Sequence, residues 1–178
     1  MIYSKKFLFS ALLVIIFFPL WANQRTIDSL ETLLSKTKNE KERISLFMSL
    51  AEANAHIFPM QSCQYAKKAV ELSRKINDSI SLAHSLFALG DSYRSISDYE
   101  KSLKHLFDAL KLFEKFNNKV LELQCINSIG IVFASIGNLK KAIEYFSRTL
   151  SICEEQKDTS SMAPVLTIRP IGQMVHAG

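Results

Sequence analysis

The sequence predicts an all-α fold built as a stack of antiparallel helix pairs, and three observations predict it. Composition favours helices: of 178 residues only 5 are Gly and 4 Pro, while 48% are hydrophobic and 22% charged. A pattern of large and small residues recurs 40 residues further along the chain, at Leu86-Phe-Ala-Leu-Gly-Asp-Ser-Tyr93 and again at Ile126-Asn-Ser-Ile-Gly-Ile-Val-Phe133. Within each copy, apolar residues spaced by threes and fours are interrupted by short polar turns, which leaves neighbouring helices little choice but to fold back on one another.

Residues 1–22 are read as a signal peptide, outside the fold. Lys5 and Lys6 precede an apolar run from Phe7 to Leu20, broken only by Ser10 and Pro19, and Ala22 follows as a small residue at a cleavage position. The run falls short of the roughly 20 residues that a membrane-spanning helix needs. Removal after Ala22 is therefore expected, with retention as a membrane tether the alternative. The predicted location is periplasmic, or membrane-anchored facing the periplasm.

Without Lys5 and Lys6 the net charge falls from +5 to +3. The remaining cations, such as Lys67, Lys68, Lys101, Lys104, Lys140 and Lys141, lie among acids. That reads as a solvated helix face, and no nucleic-acid partner is expected.

A leading helix is predicted over 25–37, from Thr26-Ile-Asp-Ser-Leu-Glu-Thr-Leu-Leu34. Three helix pairs come after it at about 40–77, 78–117 and 118–156, so that the repeat domain spans 23–156. In the middle pair, Leu82, Leu86, Leu89, Tyr93 and Ile96 form the first apolar stripe, and Tyr99, Leu103, Leu106, Leu110 and Phe113 the second. Asp98 is placed to cap the second helix; Asn77-Asp78 and Asn117-Asn118 separate the pairs and cap the first helix of the next pair. The first pair is a weaker copy, needing a gap of one residue near His56 to Met60, where Pro59 marks a break. Gly90 and Gly130 sit inside helices at a cost of about 1 kcal/mol against Ala, which close approach of the paired helices explains.

Residues 157–178 depart from the pattern. Lys157-Asp-Thr-Ser-Ser-Met-Ala163 begins like another first helix, but Pro164 and Pro170 fall where it should continue. A natural irregular tail and a repeat cut short by truncation or frameshift fit equally well. In both cases the last pair is expected to lack a polar capping helix and to present a sticky outer face. Cys63, Cys125 and Cys153 are read as small core side chains, with a Cys125–Cys153 disulfide as the alternative.

These residues resemble the tetratricopeptide repeats. That family's order of a large residue, Leu-Gly and an aromatic, then small, aromatic and small residues in the second helix, is matched by Leu86, Leu89, Gly90, Tyr93, Ser102, Leu106 and Ala109. Ile126, Ile129, Gly130, Phe133, Ala142, Phe146 and Thr149 match it again. Ser102 and Thr149 depart from the usual Ala, and the period of 40 exceeds the common one, resembling a long variant found in the extracytoplasmic part of bacterial sensor kinases and regulators. The resemblance covers about residues 40–156 and implies a superhelical α-solenoid.

No phosphate-cradling loop, paired-Cys metal spacing or nucleophile elbow occurs. His56, His84, His105 and His176 lack a partner His or Cys at helical spacing, so each is read as a surface or groove residue. The acids are read as helix-face partners of Lys or Arg, as in Glu100 with Lys104. No catalytic residue, metal or cofactor is expected.

By the resemblance, the first helix of each pair lines a concave groove. That places Met48, Glu52 and Ala55, then Phe87, Asp91 and Arg94, then Asn127, Ile131 and Ala134 on the binding face, with Phe87 and Ile131 as the strongest candidates. The Lys and Asn pattern of a carboxylate clamp is absent. The expected function is a protein-protein interaction scaffold holding a protein or peptide, as the sensing or docking portion of a bacterial signalling system. The alternative is a structural or assembly module that self-associates through its uncapped C-terminal repeat.

Overall fold

The computed structural model describes residues 24–155, and among them it contains seven helices. These are α1 (24–36), α2 (Glu40–Asn54), α3 (Pro59–Lys75), α4 (Ser79–Ser95), α5 (Tyr99–Lys115), α6 (Lys119–Ser135) and α7 (Leu139–Glu155). The signal peptide and tail expectations lie outside the described residues. Among the described residues no helix is long and apolar enough to cross a membrane.

The 40-residue period has a simple mechanical origin. Each helix from α3 onward is 17 residues long, and α3 to α6 are each followed by a three-residue turn, so one turn design recurs every 20 residues. Asn77, Ser97, Asn117 and Gly137 all adopt positive φ, at 53°, 60°, 54° and 78°. Each closes its helix with a paired hydrogen bond of the Schellman type. Asp78 N–H donates to Ser73, Asp98 to Tyr93, Asn118 to Phe113 and Asn138 to Phe133, all at 2.9 to 3.0 Å.

The next residue then caps the following helix. Asp78 accepts from the Ile80 and Ser81 amides, Asp98 from Lys101, Asn118 from Leu121 and Asn138 from Lys141. The first pair departs from this design. Its α2 has 15 residues and its turn runs over 55–58, one residue shorter in total, and Pro59 opens α3 as its first residue.

Two apolar clusters hold the stack together. The larger runs through Ala51, Ala66, Leu86, Leu106, Phe113, Ile126, Ile129 and Val132, linking α2 to α7 through half-buried Tyr145 and Phe146. The smaller joins Leu34 of α1 to Ile44, Phe47 and Ala69. The two stripes expected for the middle pair lie in this core; Leu82 and Ile96 at the ends of the first, and Tyr99 and Leu103 at the start of the second, are half-buried. First helices such as α6 are buried on more than one side, because each sits between the preceding and following second helices.

Gly90 and Gly130 stand where helices touch: a Cβ would come within 2.7 Å of Leu106 Cγ at one and 2.6 Å of Phe146 Cε1 at the other. Cys63, Cys125 and Cys153 are buried and form no disulfide with one another, and the Cys125 thiol donates to the Leu106 carbonyl at 3.0 Å.

The charge pairing differs from expectation in two places. Glu100 and Lys104 form no ion pair; Lys101 reaches Asp98 at 2.5 Å instead, because a cap carboxylate is already held at the helix start. Glu122 is not on a solvated face. It is 3% exposed and neutralised by Lys119 at 2.8 Å, with Arg148 at 3.6 Å.

Candidate functional site

The inner faces of α2 and α4, with the start of α6, enclose a groove of about 530 Å³. Five of the seven residues expected to bind line it: Met48 and Glu52 from α2, and Phe87, Asp91 and Arg94 from α4. Ala55 lines it too. These positions correspond along the repeat, Met48 with Phe87 and Glu52 with Asp91, so the same face of two stacked helices is presented side by side.

Asn127 and Ile131 do not line this groove. Both are half-buried on α6, and the Asn127 amide oxygen is buried without a hydrogen-bond partner. The third helix contributes Leu121 and Gln124 in their place, a turn or two nearer its N-terminus.

Sequence reasoning missed Ser45 and Gln124, and placed His84 only as a surface or groove residue. All three line the groove one turn before the expected set. The signal was available, since Ser45, His84 and Gln124 are related by the same offsets as Met48, Phe87 and Asn127.

The lining rings of His84 and Phe87 rest on a buried aromatic side chain. Phe113 is 2% exposed, and both His84 and Phe87 meet its ring edge-on, with centroids 5.5 and 6.4 Å away. Burial holds the His84 imidazole below its usual value, so it faces the groove as a neutral group.

Asp91 and Arg94 satisfy one another at 3.2 Å, about a third exposed. Glu52 is exposed and forms no ion pair among the described residues. The groove thus offers an apolar floor with one unneutralised carboxylate at its rim.

No protein-family model matches the chain. It is similar to response regulator aspartate phosphatase A of Bacillus subtilis, at 34% identity over 71 residues, 40% of this chain and 19% of the relative. A Rap protein solved in complex with competence and sporulation factor superposes with a TM-score of 0.75 at 22% identity, over 90% of this chain and 47% of that one. The TPR domain of Arabidopsis FLU superposes at 0.59 with 15% identity, over 66% of this chain and 99% of that domain. The chain therefore spans about a fifth of the curated relative and about half of the Rap chain. The fold is a tetratricopeptide-like α-solenoid.

Proposed function

We propose that the chain is an exported peptide-binding scaffold, the sensing or docking portion of a bacterial signalling system. One observation carries this reading: residues of α2 and α4 at corresponding repeat positions converge on one groove whose floor is apolar and whose rim carries the unpaired Glu52 carboxylate. An extended or helical peptide fits such a surface, setting an apolar side chain beside Met48 and Phe87 and a cation against Glu52. Export rests on residues 1–22, whose charges and apolar run have the layout of a signal. A scaffold is favoured over a catalyst because the groove's one close charge pair, Asp91 with Arg94, is already self-satisfied. The phosphatase name belongs to a relative of which the chain matches 19%.

The test is selection of peptides from a random displayed library on the immobilised chain, followed by titration of a chosen peptide against variants. Phe87→Ala should weaken binding about tenfold or more, in line with loss of a buried aromatic anchor. Equal affinity of the parent and Phe87→Ala for every selected peptide would remove the groove from consideration.

A further inference from the structure

A second cleft, of about 630 Å³, opens at the N-terminal end of the stack between the α1–α2 turn, the start of α2 and the length of α3. It shares no lining residue with the groove. Lys38, Arg43, Lys68 and Lys75 surround it, with Glu40 and Glu71. Their balance is uneven. Glu40 is spent on Lys75, at 2.7 Å, whereas Lys38, Arg43 and Lys68 form no ion pair among the described residues.

Arg43 and Lys68 are also held in place. Arg43 donates to the Thr37 carbonyl at 3.3 Å, and its guanidinium lies 5.8 Å from the ring centre of Phe47. Lys68 approaches the same ring from α3 at 5.9 Å and the Tyr65 ring at 5.4 Å. Aromatic faces attract cations but leave their charge unneutralised. Two cations from different helices thus converge over one core ring, with a third on the turn beside them and Glu71 as the one acid without an ion pair among the residues that line the cleft.

The unpaired cations are spread across the cleft, Lys38 on the α1–α2 turn, Arg43 on α2 and Lys68 on α3. A compact anion meets one end of such a strip; a segment with several carboxylates meets its whole length. We propose that this cleft is a docking site for an acidic segment of a partner polypeptide, separate from the groove.

The test is fluorescence anisotropy of dye-labelled hexaglutamate with the full chain in detergent at low salt, with hexalysine as control. Saturable binding of hexaglutamate alone is expected, falling about tenfold in Lys38→Gln/Lys68→Gln, the sum of two exposed charge contacts. It should fall as salt rises and be unchanged in Phe87→Ala, which separates this site from the groove. Arg43→Gln serves as a second variant, each being checked for an unaltered helical spectrum. The proposal is overturned by absence of saturable binding, by undiminished binding in folded Lys38→Gln/Lys68→Gln, or by displacement with equimolar inorganic phosphate.

Discussion

Gly90 and Leu106 touch across the α4–α5 pair so closely that a Cβ on the glycine would lie 2.7 Å from Leu106 Cγ and 3.2 Å from its backbone nitrogen. At Gly130 the neighbour is the Phe146 ring, at 2.6 Å. The two sites differ in how they can yield. Leu106 is fully buried, and both its branch carbon and its backbone are in the way, whereas Phe146 is half-buried and its ring can tilt toward solvent. Gly90→Ala should therefore be the more damaging. Overpacking costs of about 1–3 kcal/mol exceed the helix-propensity gain of about 1 kcal/mol. Thermal melts should show Gly90→Ala well below the parent and Gly130→Ala between the two; the reverse order would contradict this packing.

Ser97 holds a φ of 60° in a turn whose counterparts are Asn77, Asn117 and Gly137. Asn and Gly tolerate that region, while a serine there carries strain of roughly 1 kcal/mol. Its hydroxyl contributes little in return, meeting the exposed Tyr99 hydroxyl at 3.4 Å. Ser97→Gly or Ser97→Asn should raise the melting temperature by a few degrees. An unchanged or lower value would mean that the turn is less constrained than its hydrogen bonds imply.

Much of this architecture was legible because the period is set locally. The turn residues and the caps at Asp78, Asp98 and Asn118 are each dictated by backbone geometry within a few residues, and the two small glycines answer to the adjacent helix of the same pair. The features that escaped are set by packing between distant helices. Glu122 looks like any helix-face acid, yet α6 is enclosed on several sides and Arg148 arrives from the next helix to meet it. Asn127 and Ile131 keep the repeat register of the groove, but the groove reaches α6 only near its start, where Leu121 and Gln124 stand. Register identifies a face of a helix; only the stacking decides how much of that face stays open.

Asp78 joins two pairs by capping α4 and binding Lys41 of α2 at 3.0 Å. The Ser81 amide, then Lys41, hold its carboxyl down to about 2 from 3.8. Its stabilisation is fully present above the unfolded value near 4 and is lost as pH falls through 2, because the unfolded chain takes up a proton that the folded one resists. Asp78→Ala should cost about 1 kcal/mol at neutral pH. Asp78→Asn keeps the cap but not the charge, so it should cost less and flatten the stability profile between pH 4 and 2. Chemical denaturation across that range checks both, and an equally steep profile in Asp78→Asn would assign the acid sensitivity elsewhere.

Two imidazoles act in the opposite chemical sense. Burial lowers His84, and burial lowers His105, which Lys104, Arg74 and Lys67 depress further against the pull of Asp108. His105 is stacked on Tyr93 with its Nδ1 buried and unpartnered. Above the ordinary value of 6.5 both states are neutral and these groups cost nothing; below it the unfolded chain protonates first, so stability falls as pH drops from 7 toward 5. Replacing both with Gln should remove most of that slope in melts at the two pH values.

The groove makes a further prediction that separates register from exposure. Phe87 and Ile131 occupy inner faces of successive first helices, and register alone assigns them similar roles. Phe87 lines the open groove against the buried Phe113 ring, whereas Ile131 is outside its lining. A library-selected peptide should lose about tenfold in affinity on Phe87→Ala and stay within about twofold on Ile131→Ala, because rim and off-site positions carry little binding energy. Glu52→Gln should weaken peptides that carry Lys or Arg and leave uncharged ones unaffected. Calorimetry on the three variants decides the matter. A larger loss at Ile131 than at Phe87 would place the ligand further along the stack, over α6, and would make register the better guide.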